Sequence, residues 1–132
     1  ETARDLRLPP GSRVQRAAHV RLLDGKPIGY CETFIPIDLK IRFSPNEFNN
    51  HPMLTLLERK GIDIGWGDQL IGATLADARL GRLLDVSAGA PLVRVRLVVF
   101  DTRQRPVERL LAFYRGDHYD HHIRLTRTSG GR

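Results

Sequence analysis

The run PLVRVRLVVF at residues 91–100 constrains the fold more than any other stretch of the chain. Its β-branched side chains fit a pleated, packed surface, so it predicts a strand. A strand needs neighbours. Thr102-Arg103-Gln104-Arg105-Pro106 turns the chain and residues 107–115 (VERLLAFYR) supply the next strand. Gly116-Asp117 marks another turn, and residues 119–127 (YDHHIRLTR) predict a third strand in hairpin succession. Such short connections favour antiparallel pairing.

The first half adds a second strand pair. Residues 13–23 and 28–35 flank Asp24-Gly25, a dipeptide that tolerates positive φ and marks a tight hairpin. Residues 37–51 hold Pro45, Asn46, Asn49 and Asn50 and predict a long loop. A short helix is expected over 52–60, with Pro52 in its first turn, an apolar stripe of Met53, Leu56 and Leu57, and Gly61 as its stop. Residues 62–75 predict a glycine-interrupted strand and 76–84 a second helix. The expected class is α+β: an antiparallel sheet flanked by helices. Residues 1–12, with Pro9-Pro10-Gly11, read as the end of a linker. Residues 13–127 read as one domain, and 128–132 as a flexible tail.

Composition narrows the function. The only cysteine is Cys31, so no internal disulfide forms, which fits a cytoplasmic setting. No run approaches the roughly 18 apolar residues of a membrane span, so no membrane partner is expected. The opening Glu1-Thr2-Ala3-Arg4 does not look like a natural initiation site and reads as the edge of an excised or processed fragment. A net charge of +6 invites nucleic acid, but the arginines are scattered and form no helix-turn-helix or basic strand motif. His118, His121 and His122 invite a metal, yet adjacent residues on a strand face opposite ways, so no metal and no cofactor is expected. There is no nucleophile beside a base.

Several blocks together carry a resemblance. They are Val20 to Tyr30 (VRLLDGKPIGY) with Phe34-Ile35-Pro36; Leu75-Ala76-Asp77-Ala78 with Leu83-Leu84, Val86 and Gly89 to Arg96; and Phe100-Asp101, Arg105 to Glu108 and Tyr114 to Tyr119. In this order and spacing, from about Leu8 to Arg127, the chain resembles the UTRA domain of HutC-like regulators in the GntR superfamily. The resemblance implies a fold like that of chorismate lyase. It implies an effector-binding domain, not an enzyme, that takes a small metabolite and helps its parent regulator form a homodimer. DNA would be reached only through an N-terminal winged helix-turn-helix domain that this chain lacks. The competing reading is an enzyme of the chorismate-lyase type acting on a small aromatic acid.

The resemblance also nominates ligand-binding residues. Arg21, with His19 two residues earlier on the same strand face, stands where relatives place an Arg-x-Arg pair for phosphate. A guanidinium fork suits any carboxylate or phosphate, although an exposed surface arginine would look the same. Cys31 replaces a family glutamate, and otherwise reads as a small buried residue. Trp66 replaces an arginine; its ring either stacks on a ligand or anchors the core. Glu108 and Tyr114 match family contact positions six residues apart on one strand, with Leu110 and Ala112 between them on that face. Family serines after the long loop are replaced by Asn49-Asn50-His51-Pro52. The losses at Cys31 and Trp66 imply a less polar effector, aromatic or short-chain, with one acidic group facing Arg21.

Overall fold

The computed structural model describes residues 2–44, 47 and 53–127. Its centre is a five-stranded antiparallel sheet in the order β1-β2-β5-β4-β3. The strands are β1 (Val14–Leu23), β2 (Lys26–Pro36), β3 (Ile64–Leu75), β4 (Pro91–Asp101) and β5 (Pro106–Arg115). The helices are α1 (Thr2–Asp5), α2 (Met53–Arg59) and α3 (Ala78–Leu84). The expected α+β class and antiparallel sheet are therefore present.

Local chemistry explains the elements. Asp24 and Gly25 both hold positive φ, 50° and 77°, so β1 and β2 close through a two-residue turn. Asp77 caps α3, its carboxylate accepting from the Leu80 amide at 2.8 Å. Pro91 opens β4, and β4 sits between β5 and β3, consistent with its β-branched run.

Helices cover the two faces at opposite ends. Near the C-terminal end of β2, α2 packs Leu56 and Leu57 against Ile35, Val99 and Val107. Near the β1–β2 turn, on the other face, α3 packs Leu80 and Leu84 against Tyr30 and Leu92. A third, smaller cluster of Cys31, Val95 and Ala112 fills the middle of the α2-bearing face. The cores thus lie on a diagonal through the sheet.

Two expectations are corrected. Residues 119–127 form no strand and pair with no described strand. The reason is topological. β5 already lies between β2 and β4, so a strand following it by a hairpin finds no open edge. The N-terminal segment read as linker is partly structured: α1 forms a helical turn and Leu6 is 2% exposed. Arg109 on β5 holds α1, donating to Asp5 at 2.8 Å and to the Thr2 hydroxyl at 2.8 Å. The expected roles of Pro45, Asn46, Asn49, Asn50, His51 and Pro52, and of the tail 128–132, lie outside the described residues.

Candidate functional site

The register brings four of the nominated residues together. His19 pairs with Cys31 and Arg21 with Gly29 across β1 and β2. Gly29 and Cys31 pair in turn with Tyr114 and Ala112 on β5. Directly paired residues share a face of the sheet. His19, Arg21, Cys31 and Tyr114 therefore stand on one face, near the β1–β2 turn. Glu32 points away, where it accepts from Arg16 Nε at 3.0 Å.

Contacts bind this group. Arg21 Nη1 donates to the Tyr114 hydroxyl at 3.5 Å, and that hydroxyl lies 3.8 Å from Cys31 Sγ. Tyr119 packs against the Tyr114 ring with centroids 5.2 Å apart. Burial lowers the pKa of His19, and the Arg21 charge adds to the effect. Burial raises the pKa of Cys31 and of Tyr114. The imidazole is thus biased neutral and the thiol protonated, which leaves Arg21 as the fixed positive charge of the group.

Gly29 makes the arrangement sterically possible. A Cβ there would lie 2.6 Å from Tyr114 Cδ1. Gly29→Ala is expected to push the ring aside, break its contacts with Arg21 and Cys31, and cost about 1–3 kcal/mol, as overpacking generally does. Urea denaturation and the near-ultraviolet circular dichroism of the tyrosines check this.

Glu108 stands farther along the same strand, paired with Val99. It is 2% exposed, and among the described residues no charge or hydrogen bond offsets the effect of that burial on its carboxyl. Burial alone pushes its pKa up to about 7. Tyr114 stands six positions farther along the strand, a span of roughly 20 Å. Between them lie Leu110 and Ala112, beside Cys31 and Val95. Thr33, 5% exposed and paired with Leu110, adds a buried hydroxyl to this floor. Sequence reasoning missed Thr33, although its position two residues after Cys31 on one strand would have found it.

Trp66 is not part of the group. It pairs with Phe100 and stacks on it, with centroids 4.0 Å apart and planes 8° from parallel. Arg7, just after α1, lies over the Phe100 ring at 5.2 Å. This is the α1 side of the sheet, to which Arg109 points, and neighbouring Glu108 points the other way. Among the described residues no three His, Cys, Asp or Glu side chains come together as a metal site. No helix among them is long and apolar enough to cross a membrane.

Comparison with known proteins gives the fold a context. Solved structures match over nearly the whole chain. A GntR-family transcriptional regulator from Enterococcus faecalis is 26% identical, with a TM-score of 0.82, covering 93% of this chain and 88% of that one. A protein from Streptomyces coelicolor assigned as a transcriptional regulator is 28% identical, with a TM-score of 0.87, covering 90% and 79%. The ligand-binding domain of a protein from Bordetella bronchiseptica, assigned to the GntR-family regulators, is 24% identical, with a TM-score of 0.83, covering 94% and 78%. No curated protein sequence matches. The UTRA domain family matches residues 1–120, almost the full length and every strand of the sheet. With the order of its sequence blocks and its five-stranded sheet in agreement, the chain belongs to the UTRA domain family.

Proposed function

We propose that this domain binds a small metabolite along the α2-bearing face of the sheet and passes its occupancy to a DNA-binding domain. Membership in the UTRA family and the likeness to GntR-family regulators support an effector-binding, regulatory role. They do not favour the chorismate-lyase-type enzyme. The DNA-binding partner is a winged helix-turn-helix domain preceding α1, and the regulator is a HutC-like homodimer of the cytoplasm. Two-fold dimers are the commonest assembly, and they suit a palindromic operator.

The observation that carries the site is Glu108. A buried carboxyl whose burial no charge or hydrogen bond from the described residues offsets is costly, and a ligand hydroxyl or carbonyl would relieve it. Arg21 and Tyr114 stand at the other end of the same face. The floor between is largely apolar. The effector that fits places an acidic group at Arg21 and a hydrocarbon or aromatic body over Ala112 and Cys31; one long enough to follow β5 for roughly 20 Å would also reach Glu108. His19, Arg21, Cys31, Glu108 and Tyr114 are its proposed contacts. Trp66 stands on the other face, so its place in relatives' pockets does not carry over to this reading.

The route to the DNA-binding domain starts on β5. Glu108 faces the ligand while its neighbour Arg109 grips α1 from the other face. A shift of this strand on binding therefore moves the point where the chain enters the domain.

A thermal-shift panel of aromatic acids, short-chain acids, amino acids and sugar phosphates tests the reading. A binder at 100 times its dissociation constant adds about 2.7 kcal/mol of stability. Removing Arg21 removes a charge-assisted hydrogen bond of about 1.5–3 kcal/mol, so Arg21→Ala is expected to weaken an acidic binder by roughly tenfold to a hundredfold. A panel in which only sugar phosphates stabilise the domain would sink the proposed ligand class.

A further inference from the structure

Two surface features stand open among the described residues. The first is β3. It is a twelve-residue edge strand paired on one side only, with β4. Most of its residues are exposed, among them Trp66 (46%), Leu70 (62%), Ile71 (42%) and Leu75 (67%). It carries no proline and no lysine, and its only charge is Asp68. Soluble proteins usually guard a long apolar edge with charge, proline or a cover, because its free backbone groups invite another strand.

The second feature is the segment after Tyr119. Tyr119 is fixed against Tyr114, but residues 120–127 are exposed throughout and pair with no described strand. Ile123 (60%) and Leu125 (90%) alternate with Arg124 and Thr126, the pattern of a half-buried strand. From His121 to Arg127 the segment carries two arginines and two histidines and no acid. The sequence pattern of a strand is present; an edge to receive it is not.

We propose that residues 121–127 of one chain add to the free edge of β3 in a second copy, reciprocally about a two-fold axis, so that each sheet gains a sixth strand. This rests on the homodimer reading above. Charge selects the edge. The other open edge, β1, bears Arg21 and no acid, its Arg16 being already paired with Glu32 on β2, so it does not attract the basic segment. β3 offers Asp68 and an apolar row to receive Ile123 and Leu125. Length also fits, since seven residues span roughly 23 Å and the twelve of β3 roughly 40 Å.

The test is sedimentation velocity with hydrogen exchange on the 132-residue chain, on a chain ending at Asp120, and on Leu70→Lys. The full chain is expected to sediment as a dimer with slow-exchanging β3 amides. The shortened chain and Leu70→Lys are expected to sediment as monomers with fast β3 exchange. Persisting slow exchange in β4 and β5 would show that both remain folded. A shortened chain that stays dimeric would overturn the inference while leaving the homodimer intact. So would a dimer whose β3 amides exchange as fast as those of the monomer. A full chain that is monomeric throughout would remove the homodimer reading and this inference together.

Discussion

Glu108→Gln is expected to make the domain about 3 kcal/mol more stable above pH 8 and no more stable below pH 4.5. The sign follows from the two pKa values. The carboxyl has an ordinary value of 4.5 when the chain is unfolded and about 7 when burial holds it protonated. Below 4.5 both states carry the proton, so its burial costs no charge. Between 4.5 and 7 the unfolded chain releases the proton and the folded one keeps it, so stability falls as pH rises. Above 7 the loss is complete and constant. A shift of this size corresponds to about 3 kcal/mol, at 1.36 kcal/mol per unit. Glutamine keeps the shape and stays neutral. His19, whose pKa is lowered, contributes a slope of opposite sign in both proteins and cancels in the difference. Urea denaturation of both proteins at pH 4.5, 6, 7 and 8 gives that difference. Parallel curves would mean that a group in the folded protein stabilises the Glu108 carboxylate.

Leu57→Ala is expected to cost about 2–5 kcal/mol, the range for truncating a fully buried leucine. Leu57 is 0% exposed and packs with Leu56, Phe43, Ile35, Val99 and Val107. Few side chains of α2 reach the sheet. Seven residues are too short to hold a helix by hydrogen bonds alone. Its attachment therefore rests on Leu56 and Leu57. The loss would appear as a lower urea midpoint with an unchanged slope. Leu54→Ala on the same helix, at an exposed position (43%), is the control and should fall within about 0.5 kcal/mol of the parent.

How far the residues foretold the fold depends on what each signal measures. Asp24-Gly25, the β-branched run of β4 and the stripe Met53-Leu56-Leu57 are local signals, and each produced the element it predicts. The segment 119–127 has an equally good strand pattern and forms no strand. Its pattern reports which side chains want cover, whereas pairing depends on sheet order, which placed β5 between two neighbours. The same divide runs through the candidate site. Alternation along β1 and β5 was enough to put His19 with Arg21 and to put Glu108 on the Tyr114 face. It could not show that Trp66 sits on the other side, because a bulge between Ile64 and Trp66 shifts the register of β3. Nor could it show that Glu108 is buried, since that depends on every element packed around it. At the N-terminus Pro9-Pro10-Gly11 suggested a linker, but nothing local announced that Arg109, more than a hundred residues later, would hold Asp5.

The diagonal placement of the two large cores bears on how such a domain changes over evolutionary time. His19, Arg21 and Glu108 belong to none of the three apolar clusters. The contacts that hold α2 and α3 to the sheet do not run through them. If these positions contact the effector as proposed, substitutions at His19 and Arg21 would alter what the face recognises while the apolar clusters stay in place. On that reading, a lineage built on this plan would exchange one effector for another by drifting at a few strand positions of the sheet rather than by rebuilding its cores.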